Sequence, residues 1–227
     1  MPDSLTFERK IQAITVADLA FPPREGGYAK GHETREEILR AALHLLVNSG
    51  YRAMSMRKIA SACGMKLGNL TYHFPTREDL VQALLDSVIS SYEIEFDKIM
   101  HHPQLPPEGR LDLYCETVLE DLRTLKTTRF FPELWALSNH DPFVFERMHE
   151  LYVRARAPLD EIVADMRADL PAEKRAALVL FISAAMEGLT VFAGYGKPFE
   201  PMMPALEGVA TKAFKDLVRT IREEDIP

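Results

Sequence analysis

Residues 50 to 80 read GYRAMSMRKIASACGMKLGNLTYHFPTREDL, the stretch of this chain with the fewest ways to fold. Ile59, Ala60, Cys63, Met65 and Leu70 are spaced to pack two short helices on each other. Gly64 stands where the chain must reverse, a place that favours a residue tolerant of positive φ. Ser55 is a good N-cap and opens a helix that runs to about Cys63. A shorter one covers about Lys66 to His73, and Phe74-Pro75 breaks it, because a residue before proline avoids helical angles. Ala60 has to be small where the second helix crosses. The residues left outward on that helix are Lys66, Leu67, Asn69, Thr71, Tyr72 and His73, a mixture suited to base edges and phosphates. In a helix-turn-helix the second helix enters the major groove and its first residues contact bases.

The net charge of −7 over 227 residues speaks against a nucleic-acid partner, but its distribution speaks for one. Between Glu37 and Glu78 there is no acidic residue, while Arg40, Arg52, Arg57, Lys58, Lys66 and Arg77 lie inside that window. A basic island in an acidic chain is the footprint expected of a phosphate-binding surface.

The rest of the chain follows helical spacing, without strand alternation or internal repeat, so the class is all-α. Residues 1–31 form an arm, with a weak helix over Leu5 to Ala20 and a Pro- and Gly-rich hinge over Phe21 to Gly31. Thr34 and Glu37 have capping-box spacing, Ile38, Ala42, Leu45 and Leu46 form one apolar stripe, and Gly50 ends the helix. Thr76 caps a long helix reaching about Met100, and a proline-rich loop follows. Further helices are expected at about 108–126, 129–139, 142–168, 171–193 and 203–222. Asp141-Pro142 opens the third of these, and Pro158 is expected to kink it. The two cysteines, Cys63 and Cys115, stand in unrelated contexts, which excludes a disulfide framework and suits a reducing cytoplasm. No signal peptide is read at the N-terminus. The most apolar run, Ala176 to Met186, is read as far short of a membrane span and is fenced by Arg175 and Glu187. A cytoplasmic protein with no membrane association is expected.

The run resembles the TetR family of transcriptional regulators. The likeness lies in Gly50-Tyr51, Ile59-Ala60, Gly64, Gly68, Leu70, His73-Phe74 and the Pro-Thr-Arg-Glu-Asp-Leu run from Pro75. It covers residues 32 to 85 tightly and beyond them rests on the number and length of the helices. The family usually carries tyrosine where Thr71 stands, whereas here Tyr72 comes one place later. Tyr72 therefore either takes over the family's phosphate contact or packs inward.

The resemblance implies a DNA-binding domain at 32–80, with the helix-turn-helix at about 55–74, and an effector-binding and dimerisation domain at 81–227. It implies a homodimer on a palindromic double-stranded operator, a repressor released by a small effector, and no cofactor or metal. Ser55, Arg57, Lys66, Leu67, Asn69, Tyr72, His73 and Arg77 are the candidate DNA contacts. Among them, Asn69 either reads adenine or stands exposed without a role, and His73 either meets phosphate or packs. Leu206, Val209, Ala210, Ala213, Phe214, Leu217, Val218 and Ile221 keep the helical apolar rhythm, and Ala176 to Met186 is apolar nearly all round. A helix apolar on every side needs burial on every side. The candidate dimer contacts are Phe181, Leu206, Phe214 and Leu217; the alternative is one large core. The bulky set Phe131, Trp135, Phe145, Met148 and Tyr152 either fills that core or lines a pocket for an apolar or aromatic effector.

An enzyme is not expected. There is no Gly-x-Ser-x-Gly, phosphate-cradling glycine loop or His-Glu-x-x-His. Glu146 and His149 make half of a helical di-iron motif, and no second copy exists.

Overall fold

The computed structural model describes residues 18–21 and 29–226. They contain nine α-helices and no strand: α1 (Ala29–Ser49), α2 (Met56–Ala62), α3 (Leu67–His73), α4 (Arg77–Met100), α5 (Pro107–Asp121), α6 (Leu125–Ser138), α7 (Pro142–Met166), α8 (Ala172–Ala193) and α9 (Met203–Thr220). The all-α class is as expected. The chain forms two compact units, one joining Ala17–Ser91 to Arg129–Tyr152, the other joining Tyr92–Thr128 to Val153–Pro227. We call them the N-terminal and C-terminal units.

Several helix starts follow their caps. The Ser55 hydroxyl accepts the Lys58 amide at 3.3 Å. Thr76 and Asp79 cap reciprocally, each side chain taking the other's amide at 3.0 Å. The Asp141 carboxylate accepts the amides of Phe143 at 3.0 Å and Val144 at 3.2 Å. Two boundaries depart from expectation. α1 begins at Ala29, so Thr34 lies inside it, with its hydroxyl on the Lys30 carbonyl at 2.9 Å, and the expected capping box does not form. Gly31 is helical rather than part of a hinge: one glycine lowers helix stability by only about 1 kcal/mol, and no proline follows it. Most of the expected Leu5–Ala20 helix lies outside the described residues, and Asp18 to Phe21 are not helical. The second departure is the end of α5 at Asp121 rather than near 126. Thr124 is the cause. Its hydroxyl donates to the Asp121 carbonyl at 2.8 Å and accepts the Thr127 amide at 3.2 Å, closing one helix and opening the next.

In the C-terminal unit α5 and α9 pack antiparallel with charges in register. Glu108 pairs with Arg219, and Asp112 with Lys215 at 2.6 Å. Beyond these pairs the two helices flank a groove of about 510 Å³ lined by Glu116, Glu120, Arg123, Glu207 and Thr211. Burial, and then the Asp112 and Glu207 carboxylates, push the Glu116 acid up to about 7. Arg167 donates to the carbonyls of Val218 and Ile221 at 2.7 Å each, satisfying acceptors that a helix end leaves open. A buried polar knot lies nearby in sequence. The Asp121 carboxylate takes the Tyr92 hydroxyl at 2.6 Å and the Thr127 hydroxyl, and the Lys126 ammonium stands 3.5 Å away.

α8 corrects the reading of Ala176–Met186 as far short of a span. The helix covers 22 residues, long and apolar enough by length and composition to cross a membrane. Glu187 does not end the apolar stretch, since Gly188 to Ala193 continue the helix without another charge. Its inner face buries Leu178, Val179, Ile182 and Met186, while Leu180, Phe181, Val191 and Phe192 stand exposed.

Candidate nucleic-acid interface

The α2–α3 pair carries a buried apolar set. Ile59, Leu70 and Phe74 are fully buried and Ala60 nearly so, which leaves one face of α3 outward. Gly64 turns the chain at φ +63°, and the Met65 amide closes the turn onto the Ala60 carbonyl at 2.9 Å. Arg35 of α1 locks the far end of α3, its guanidinium 3.9 Å over the Phe74 ring and donating to the His73 carbonyl. Sequence reading missed Arg35. It lies before the acid-free window, and no spacing rule ties it to a residue nearly forty positions later.

The outward face carries most of the expected contacts. Lys66, Leu67 and Asn69 are exposed, and so are Ser55 and Arg57 on the approach to it. Tyr72 is 84% exposed, which answers the question its displaced position raised: it does not pack inward. Its ring meets the His73 ring edge-on at 5.2 Å. Burial first and the Arg35 charge second lower the His73 imidazole from its ordinary value. Arg77 has a different partner. It donates to the Tyr51 carbonyl at 3.0 Å and its guanidinium lies 4.1 Å over the Tyr51 ring.

The five bulky candidates of 131–152 all belong to the N-terminal unit. Phe131 and Met148 are buried, and the Trp135 indole N–H donates to the Tyr152 hydroxyl at 2.8 Å. The Phe131 and Tyr152 rings are 6.2 Å apart, tilted by 45°. Phe145 is 58% exposed and stands outside that group. Of the four candidate dimer contacts, Phe181 is exposed and Leu206 and Leu217 are half-buried. Phe214 is only 7% exposed and packs into the chain's own core.

Comparison with known proteins agrees with this geometry. The profile described as "Bacterial regulatory proteins, tetR family" matches residues 38–84, from the acid-free window through the start of α4. A second, "BetI-type transcriptional repressor, C-terminal", matches residues 107–216 and so runs through α8. An uncharacterised HTH-type regulator from the dhlA 5′ region of Xanthobacter autotrophicus is 26% identical over 76% of this chain and 85% of its own. The HTH-type transcriptional regulator BetI of Escherichia coli is 22% identical over 73% of this chain and 85% of its own. Among solved structures, a putative transcriptional regulator from Pseudomonas aeruginosa PAO1 superposes with a TM-score of 0.70 at 17% identity, covering 86% of this chain and 94% of that one. A putative regulator from Saccharomonospora viridis, solved in complex with choline, gives a TM-score of 0.63 at 21% identity, covering 83% and 96%. With both profiles falling on the helices that carry the seam and the body, the chain belongs to the TetR family and is a helix-turn-helix, DNA-binding transcription regulator rather than an enzyme.

Proposed function

We propose that the protein is a cytoplasmic repressor that binds a palindromic operator as a homodimer and leaves it when a small effector binds. The observation that carries the reading is the outward face of α3, where Lys66, Leu67, Asn69 and Tyr72 stand exposed within a window free of acid. In this reading residues 32–80 bind DNA, and 81–227 sense and dimerise. Half-sites lie about one helical turn apart, the spacing of two recognition helices related by a dimer axis. The match of residues 107–216 to a repressor's C-terminal profile supports repression over activation. Lys66→Ala is expected to weaken binding to every duplex and to lower the slope of log affinity against log salt by about one phosphate contact. Mobility shifts over a salt series measure this, and an unchanged slope would place Lys66 away from the backbone.

For the effector we propose a site at the cluster of Phe131, Trp135 and Tyr152, with Met148 close by in sequence. Aromatic faces attract a quaternary ammonium through their electron-rich rings, and a structural neighbour was solved with choline. Choline is therefore the first probe. Trp135 is the chain's one tryptophan, so its emission reports on this site alone. Choline is expected to shift that emission and to lower operator affinity roughly tenfold, within the usual range of allosteric coupling. Trp emission and operator affinity both unmoved at millimolar choline would remove this class of ligand.

A further inference from the structure

The turn that launches the DNA-binding pair is held by side chains from far along the chain. Gly50 has φ +79°, and a 3₁₀ turn over Tyr51–Ala53 follows it. The Tyr51 amide donates to the Glu133 carboxylate at 3.1 Å, and the Val47 carbonyl accepts from Arg129 at 3.4 Å. Glu133 and Arg129 lie four residues apart on α6 and so share a face of it. A Cβ at residue 50 would sit 3.2 Å from the Glu133 carboxylate. Glycine there both adopts the positive φ and admits the carboxylate. From the other side Arg77 takes the Tyr51 carbonyl. Both backbone polar groups of Tyr51 are thus bound by charged side chains of α4 and α6, all inside the N-terminal unit.

The seam between α2 and α3 does not need this clasp, since Ile59, Ala60 and Leu70 close it. What the clasp defines is how the chain leaves α1, and hence the direction in which α2 and α3 are presented. We propose that Glu133, assisted by Arg129, is a positioning residue for DNA recognition: it sets the pose of the recognition helix without touching DNA. Both residues lie well outside the matched DNA-binding profile, which ends at residue 84.

Pose and charge make separable demands. Contact with phosphates anywhere on a duplex needs only the basic surface, whereas operator binding needs two recognition helices in register. The proposal rests on the dimeric operator reading in that respect. The test uses the full-length protein, the duplex it enriches from a random pool, and an unselected duplex. Glu133→Ala is expected to lower affinity for the enriched duplex roughly tenfold, the size of one lost charged hydrogen bond, with unselected DNA changed by less than about twofold. Glu133→Gln keeps an oxygen that can accept the Tyr51 amide and is expected to stay within about twofold of wild type on both. If Glu133→Ala binds the enriched duplex as wild type does, the proposal fails while the operator reading stands. If it loses both duplexes equally and melts earlier, Glu133 is merely structural and the proposal fails again. A wild type that enriches no duplex overturns the operator reading, and this proposal with it.

Discussion

Asp121→Ala is expected to destabilise the protein by about 3–5 kcal/mol, the usual result of stripping one partner from a buried charge pair. The Asp121 carboxylate has three partners: the Tyr92 hydroxyl, the Thr127 hydroxyl and the Lys126 ammonium. Lys126 is only 6% exposed, and its ammonium has no hydrogen-bond acceptor and lies 4.9 Å over the Tyr92 ring. Without Asp121 that ammonium would keep the ring and lose its counter-charge. Burial first, and the Asp121 carboxylate second, hold the Tyr92 phenol well above its usual range, so it remains a neutral donor that loses its 2.6 Å carboxylate acceptor. Adding Lys126→Met to Asp121→Ala is expected to recover at least half of the loss, since the uncompensated charge goes too. Urea unfolding of the single and double variants measures both effects. A loss below about 1 kcal/mol in the single variant would mean that water reaches the site and the pair behaves as a surface one.

Phe181→Glu is expected to convert a dimer into a monomer and to lower operator affinity at least about a hundredfold, several kcal/mol being the cost of a charge trapped unpaired in an apolar contact. α8 leaves Leu180, Phe181, Val191 and Phe192 exposed, with Phe192 at 62%, and Val209 of α9 is 67% exposed. Apolar side chains this open at helical spacing support the proposed dimer face. Because Phe181 is itself 58% exposed in the single chain, glutamate there does little to folding. Assembly is therefore tested apart from stability. The same change at Phe214 would strike the core instead and could not separate the two. Sedimentation at micromolar concentration is the readout. A wild type that sediments as a monomer, or a variant that stays dimeric, contradicts the assignment of this face.

Where a rule is local and its residues sit side by side, the sequence foretold the structure. Ser55, Thr76 and Asp141 cap as expected, and Gly50 and Gly64 carry positive φ. The apolar seam of α2 and α3 and the outward set Lys66, Leu67 and Asn69 follow from helical spacing alone. Departures arise where two local signals compete. Thr34 with Glu37 reads as a helix start and the run through residue 126 as one continuous helix, and the hydroxyls that decide otherwise donate to the carbonyls of Lys30 and Asp121. Contacts of long range were illegible. Arg77 looks like a phosphate ligand from its place at a helix start, and its bond to the Tyr51 carbonyl could not be read from spacing. Glu133 reads as an ordinary surface acid until the fold sets it beside Gly50. The faces of α9 show the same limit. An unbroken apolar rhythm does not say which side meets α5 and which meets solvent, so Phe214 could not be told from Val209.

Enrichment of bound duplexes from a random pool, followed by sequencing, tests the central claim most directly. The account predicts a palindrome whose half-sites are centred about one helical turn apart, with affinity that falls steeply as salt rises. A pool that returns no shared palindrome, from a protein that fails to shift duplex DNA even at low salt, would contradict it.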